Sequence, residues 1–284
     1  MNVSLPACLD RDGYIVCGMY AFTADLKIAW RALFAQLRKQ ALVSGIAAGS
    51  LPERFDGNLK FDTDDGAYQA PAMLLGHTCG YPFIKKWRKT HQPVCVAEFD
   101  LPGTYGQMYS SWLICRRAHP ARTLEEFAGG SAAINSMESN SGMNVLRHAV
   151  TAISSQPGFF SAIFESGSHV DSMRHVVSGS ADMAAVDAVS FHHAVRSEPE
   201  LGKGLRIFGQ SVSTPGLPFI KHNSATVDRP KLTNALNRCL DDLGAEHRAV
   251  LRIKRFSDIY EADYRCIARL EAKSKGTMFQ PSRI

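Results

Sequence analysis

The sequence predicts an α/β protein of two lobes, with mainly parallel sheets, helices on both sheet faces and two connecting segments that serve as hinges. Three observations carry that expectation. A chain of 284 residues is long for one core and suits two lobes of ordinary size. Short apolar runs alternate with amphipathic stretches of helical period, the grammar of strand and helix units and so of parallel pairing. Two extended stretches, around 109–116 and 208–218, interrupt that alternation where the chain would cross between lobes. The expected division places 1–112 and 214–284 in the first lobe and 113–213, as an insertion, in the second.

The elements follow in order. Tyr14–Tyr20 is a short apolar run, and Thr23-Ala24-Asp25 behind it offers a cap for an amphipathic pattern from Leu26 to about Val43. A strand at Ala72–His77, a helix from about Tyr81 to Lys89 and a strand at Val94–Phe99 repeat the order. Beyond Pro102-Gly103, Tyr109–Arg116 reads as extended and Ala118-His119-Pro120 as a break. Strand Ala132–Ser136 then leads through Glu138-Ser139-Asn140-Ser141-Gly142 into a helix from about Met143 to Ile153, which Pro157-Gly158 ends. Strand Phe160–Glu165 leads through Ser166-Gly167-Ser168 into a helix from His169 to about Val177, and strand Met183–Ala188 follows Gly179–Asp182. Leu205–Val212 is extended and enters Thr214-Pro215-Gly216-Leu217-Pro218. Phe219–His222 and helices over Lys231–Leu243 and Ile259–Lys273 close the chain.

Composition narrows the function classes. Hydrophobic residues make up 45% and charged residues 21%, values of a folded globular chain rather than a disordered one. The net charge of +5 comes from basic residues that are scattered, apart from Lys85-Lys86-Trp87-Arg88-Lys89 and Arg252-Ile253-Lys254-Arg255. Both clusters sit beside apolar residues of regular elements and read as solvated faces, so no nucleic-acid partner is expected. Seven cysteines, at 8, 17, 79, 95, 115, 239 and 266, form no C-x-x-C pair. Cys17, Cys95 and Cys115 lie in strand-like runs as small hydrophobes, which favours a reducing compartment over a disulfide frame. Met1–Tyr20 contains Asp10, Arg11 and Asp12 and lacks the order of a secretion leader. No apolar stretch reaches the ~18 residues of a membrane span, so direct insertion is not expected.

Candidate chemistry sits where strands run into helices. Ser139-Asn140-Ser141-Gly142 puts hydroxyls, a carboxamide and backbone N–H groups at a helix start, where the dipole favours an anion. The competing reading is a plain helix cap. Ser166-Gly167-Ser168-His169 repeats the arrangement one unit later, and ligands of α/β sheets bind at such strand ends. His77-Thr78-Cys79-Gly80-Tyr81-Pro82 offers a thiol near an imidazole, either a nucleophile or a buried cysteine in a turn. Asp187 interrupts the apolar run Met183–Ala188 and is either paired in the core or accepts a hydrogen bond from a ligand. Phosphate loops, dinucleotide fingerprints, nucleophile elbows and H-E-x-x-H pairs are missing. His192-His193, being adjacent, diverge and make no metal pair. No cofactor and no metal is expected.

These segments together resemble the phosphate, phosphite and phosphonate-binding subunits of ABC importers. The resemblance rests on His77–Pro82, Tyr109-Ser110-Ser111, Asn135–Gly142, Gly167-Ser168-His169, Gly179–Asp187 and Pro215–Pro218. It implies a type II periplasmic-binding-protein fold, a small anionic or zwitterionic ligand held in an interlobe cleft, and an ABC transporter permease as partner. It also implies roles. Ser139, Asn140, Ser141 and Gly142 would hold the oxyanion; Tyr109, Ser168 and His169 would add hydrogen bonds; Asp187 would read a proton on the ligand; Tyr20, His77, Thr78 and Tyr81 would close over it. Glu138 and Glu165 place acids near that anion and are expected to weaken it. The family implies a periplasmic location, whereas the chain start and the thiols point to the cytoplasm. The alternatives are a cytoplasmic enzyme of cofactor biosynthesis on the same fold, with Cys79 and His77 or His169 as its reactive groups, or a ligand-sensing protein.

Overall fold

The structure is a computed structural model that describes residues 13–51, 59–61, 65–69, 73–154 and 158–274. Residues 1–12 (with Cys8, Asp10, Arg11 and Asp12), Ala72 and Pro157 lie outside the described residues.

In chain order the strands and helices are β1 (Tyr14–Val16), α1 (Ala24–Phe34), α2 (Leu37–Val43), β2 (Leu59–Lys60), α3 (Asp65–Gln69), β3 (Met73–His77), α4 (Gly80–Pro82) and β4 (His91–Phe99). Then come β5 (Thr104–Tyr105), β6 (Met108–Tyr109), β7 (Ser111–Arg116), β8 (Ser131–Ile134), α5 (Val145–Ile153), β9 (Ala162–Glu165), α6 (His169–Ser178) and β10 (Met183–Asp187). The rest are α7 (Ala188–Ser197), α8 (Pro199–Gly204), β11 (Leu205–Gln210), β12 (Thr214–Pro215), β13 (Pro218–His222), α9 (Arg229–Asp241), α10 (Ala245–Leu251), β14 (Ile253–Asp258) and α11 (Arg265–Lys273). Two wide π-turns extend helices, Phe83–Trp87 after α4 and Asn140–Asn144 before α5.

The chain divides into two compact units, one of 1–78, 87–97 and 217–261, the other of 79–86, 98–216 and 262–284. The crossings fall at 97/98 and 216/217, whereas the expected 112/113 and 213/214 would leave 98–112, 214–216 and 262–284 in the first lobe. β5, β6 and β12 pair with one another, Thr214 opposite Tyr109, which keeps the two extended segments with the second unit. α11 joins it because Ile267 is fully buried, and α11 packs on α4 and α5. Gly80 has no side chain where one would run into Ile267 and Tyr264.

The first unit is built on a sheet in the order β14-β4-β13-β3-β1-β2. β3, β1 and β2 are parallel, and β13 is antiparallel to β3 and β4. α1 buries Leu26, Ala29, Trp30, Leu33 and Phe34, the i, i+3, i+4, i+7, i+8 stripe its sequence predicts. Thr23 caps it, accepting from the Leu26 N–H at 3.4 Å. The single helix expected over 26–43 breaks at Ala35–Gln36. α2 instead buries Leu37, Gln40 and Ala41 and packs on α9, and Gln40 donates to Asp242 at 2.6 Å. β14 was read only as a basic cluster. It is an edge strand with Ile253 and Phe256 buried and Lys254 and Arg255 exposed, so its charges face solvent.

The second unit carries the sheet β11-β7-β10-β8-β9. β9, β8 and β10 run parallel, while β7 and β11 add antiparallel. Parallel pairing is thus confined to the strands joined by crossover helices. The strands that arrive from the extended segments pair antiparallel. Ile114, Ala133, Met173, Val176, Ala184 and Val186 form its core. Helices α7, α8 and α10 went unread in the sequence.

Candidate functional site

Three strand ends of the second unit point to one place. β8 runs out at Ile134, and Ser139, with extended backbone (φ −85°, ψ 136°), caps the following turn by accepting from the Gly142 N–H at 2.9 Å. Position 142 is glycine because a Cβ there would strike the Asn135 side chain. Asn140, Ser141 and Asn144 are buried. The Asn140 carboxamide, expected to face a ligand, is engaged inside the protein. Its Nδ2 donates to Thr214 Oγ1 at 2.9 Å and towards Tyr109 Oη at 3.5 Å, and its Oδ1 accepts from Asn144 Nδ2 at 3.1 Å. The first backbone amides of the turn, at Asn140 and Ser141, are those a helix leaves without internal acceptors.

The second strand end repeats the grammar. After β9, Gly167 takes a left-handed φ of 86° and Ser168 caps α6. Ser168 Oγ accepts from the Asp171 N–H at 3.0 Å and donates to the Asp171 carboxylate at 2.7 Å, so this hydroxyl serves the helix. His169, one residue on, reaches the first turn: its Nε2 lies 2.8 Å from Ser141 Oγ.

The third strand end supplies the charge. Asp187, buried at the end of β10, caps α7 by accepting from the Ser190 N–H and hydroxyl, both at 2.7 Å. Its Oδ2 is 3.5 Å from His169 Nε2. Burial holds the His169 pKa below the ordinary value and Asp187 only partly opposes this, so the ring is neutral near pH 7. Ser141, His169 and Asp187 are the residue types of a hydrolase triad, but serine and carboxylate both address Nε2. Nδ1 is buried and has no hydrogen-bond partner among the described residues. A proton relay needs the carboxylate on the other nitrogen.

Tyr109 and Cys79 lie beside these groups. Burial, then the proximity of Cys79 and Asp187, raises the Tyr109 pKa far above its ordinary value, so the phenol keeps its proton. The Cys79 thiol is also raised, mainly by burial, although the Asn140, Tyr81 and Gly80 amides oppose this. Tyr81 donates to Glu271 on α11 at 2.8 Å, and burial and that carboxylate push its pKa up to about 12. The acids expected to oppose an anion have partners: Glu138 pairs with Lys86 at 2.7 Å, and Glu165 accepts from the Met137 N–H at 3.1 Å.

Tyr20, His77 and Thr78 belong to the first unit. The His77 ring stacks face to face on Phe219 at 4.2 Å and meets the edge of Tyr20 at 5.5 Å and the Trp30 ring at 5.9 Å. Burial lowers its pKa to about 3. Tyr20 accepts from Trp30 Nε1 at its carbonyl, and the Thr78 N–H donates to the Pro218 carbonyl. Sequence reasoning missed Thr214, Asn144, Ser190 and Lys86. Ser190 was readable as the third residue of a capping pair with Asp187, whereas nothing local marks the other three. Among the described residues no three His, Cys, Asp or Glu side chains are grouped to hold a metal.

Residues 75–265 match the family described as ABC transporter, phosphonate, periplasmic substrate-binding protein. Among solved structures, the chain is similar to a binding-protein component of an ABC phosphonate transporter from Pseudomonas aeruginosa, with 17% identity and TM-score 0.69 over 93% of this chain and 87% of that one. PhnD1 from Prochlorococcus marinus in complex with methylphosphonate is similar at 14% identity and TM-score 0.69, over 94% of this chain and 100% of that one. XAC2383 from Xanthomonas citri bound to ATP is similar at 13% identity and TM-score 0.61, over 92% and 95%. At these identities the likeness is one of fold, the type II periplasmic-binding-protein fold that the sequence predicts. No curated protein sequence matches the chain.

Proposed function

The chain belongs to the family of periplasmic substrate-binding proteins of phosphonate ABC transporters, and from that premise we propose that it binds a small oxyanion-bearing ligand at the strand ends of its second unit. Phosphate, phosphite, phosphonate and aminophosphonate are the candidates, with a transporter permease as the partner that receives them. The observation that carries this reading is the meeting of two helix starts, with Ser141 Oγ and His169 Nε2 at 2.8 Å.

Each group then has a task. The Ser141 amide and hydroxyl donate to the oxyanion, with the helix dipole behind them. Tyr109, protonated throughout the physiological range, donates from the side. Asp187 accepts a hydrogen from the ligand, which favours a singly protonated anion or an amine-bearing one over a bare dianion. Ser139 and Ser168 hold the helices that present these donors. His77 is proposed as packing within the first unit, against Phe219, Tyr20 and Trp30. The methylphosphonate named with the Prochlorococcus protein makes that compound the first probe.

Binding without covalent chemistry fits the raised thiol of Cys79 and the unrelayed His169. The competing enzyme reading rests on Cys79. A Cys79→Ser variant that keeps its ligand behaviour removes its best residue.

Calorimetry and thermal unfolding with methylphosphonate, phosphite, phosphate and aminoethylphosphonate test the proposal, with ATP as a further arm because a fold relative holds it. A cognate ligand at ~100 times its Kd stabilises the folded state by about 2.7 kcal/mol. If none of these oxyanions raises Tm even at millimolar concentration, the function is something else.

A further inference from the structure

A buried chain of hydrogen bonds runs behind the proposed anion site. Asn140 Nδ2 donates to Thr214 Oγ1 at 2.9 Å, Asn144 Nδ2 donates to Asn140 Oδ1 at 3.1 Å and to the Ile267 carbonyl at 3.2 Å, and Arg147 donates to Asn144 Oδ1 at 3.1 Å. Asn140 and Asn144 are completely buried and Thr214 nearly so. The two ends fix its direction. A carbonyl can only accept and a guanidinium can only donate, so Asn144 must turn its NH2 to Ile267 and its oxygen to Arg147. The second Asn144 hydrogen then goes to the Asn140 oxygen, and the Asn140 NH2 must face Thr214 and Tyr109. Tyr109 Oη, 3.5 Å away, is addressed by a donor. Its own hydrogen is therefore not drawn towards Asn140.

Resting on the anion-site reading above, we propose that Asn140 is a positioning residue that never touches the ligand: its carboxamide, oriented by Thr214, Asn144 and Ile267, keeps the Tyr109 hydrogen free for the anion. An aspartate is the same shape but, ionised, can only accept. It would draw the Tyr109 hydrogen inward, and Thr214 would have to turn its hydroxyl to donate to it. Protonation would return one donor.

The experiment compares wild type with Asn140→Asp and Thr214→Val by calorimetric titration of methylphosphonate and of inorganic phosphate. At about pH 8 Asn140→Asp binds at least ~10-fold more weakly, and the gap to wild type narrows towards about pH 5 as the buried carboxyl takes up its proton. Thr214→Val, which removes the hydroxyl and leaves the buried Asn140 donor without that partner, weakens binding roughly 3-fold to 10-fold and lowers Tm in a pH-independent way. A merely structural Asn140 would move stability but not the pH profile of that gap. Wild-type affinity in Thr214→Val beside a weakened Asn140→Asp overturns the proposal and makes Asn140 a direct contact; wild-type affinity in both overturns it outright. If wild type binds neither probe, the anion-site reading falls, and hydrogen exchange of the Asn140 side-chain NH2 in the free protein decides this one. Slow exchange that quickens in Thr214→Val supports the chain of bonds, and equal rates in the two proteins reject it.

Discussion

Each unit places a histidine where a strand gives way to a helix, His77 at the end of β3 and His169 at the start of α6, and the two rings live in opposite surroundings. His77 of the first unit lies among Phe219, Tyr20 and Trp30, with the Leu217 backbone as the polar group that acts on its pKa. His169 of the second unit has Ser141 at 2.8 Å and Asp187 at 3.5 Å. Both stay neutral near pH 7, one because burial among rings outweighs a backbone hydrogen bond at Leu217 and the other because burial outweighs a single carboxylate. A strand-to-helix turn therefore locates a histidine without saying what it does; the partners decide.

The sharpest way to break the contrast is acid. His77 has a folded pKa of about 3 against an ordinary 6.5, so the unfolded chain takes the proton first. Its contribution is complete above about pH 6.5 and is lost as pH falls from there towards about 3, at about 1.4 kcal/mol per pH unit. Between pH ~6.5 and ~4.5 that amounts to roughly 2.5 kcal/mol. Denaturant melts across this range show the slope in wild type, and His77→Phe, which keeps the stack, flattens it. An unchanged slope in that variant would mean the ring is not the titrating group.

Asp187→Ala sharpens the other half of the comparison with a smaller effect. It removes the acceptor of two 2.7 Å bonds at the start of α7, which costs about 1–2 kcal/mol. It also removes the one charge that raises the His169 pKa, so the ring protonates at a still lower pH. An NMR titration of the His169 ring follows this, and a rise in that pKa would contradict the placement of the carboxylate. Next in size is Ser168→Ala, which loses the α6 cap for about 1 kcal/mol. Calorimetry should find oxyanion affinity unchanged, because the Ser168 hydroxyl is spent on Asp171.

How much of this was legible depended on whether the signal was local. The alternation of strands and helices, the stripe Leu26–Phe34 and the caps Thr23, Ser139 and Ser168 all follow from neighbours in sequence. The antiparallel half of each sheet does not, because pairing β7 with β10 and β11 joins residues far apart in the chain. The site divides the same way. Helix starts rich in serine were visible, but the partner that occupies the Asn140 carboxamide is Thr214, 74 residues away. Tyr81 looked like a ligand donor until Glu271, 190 residues on, took its hydrogen. Neither pairing has a period, a motif or a composition to announce it.

The smallest effect tests charge rather than hydrogen bonding. Glu138 sits one residue before the Ser139 cap and in isolation should repel an anion, but Lys86 lies 2.7 Å from it, with the two side chains 31% and 56% exposed. At such exposure the pair is worth at most a few tenths of a kcal/mol to folding, so Lys86→Gln should shift Tm barely at all. Its influence on a bound anion is of another kind. Freed of its partner, the Glu138 charge weakens phosphonate binding by about twofold to threefold at low salt, and the loss fades as ionic strength rises. Lys86→Gln with Glu138→Gln restores the affinity, because the pair is electrically neutral either way. Arg255→Gln, on the exposed edge strand of the first unit, changes the net charge equally and should leave affinity alone. Were Arg255→Gln to weaken binding as much as Lys86→Gln, the ligand would be answering the charge of the whole protein, and the local compensation of Glu138 would lose its meaning.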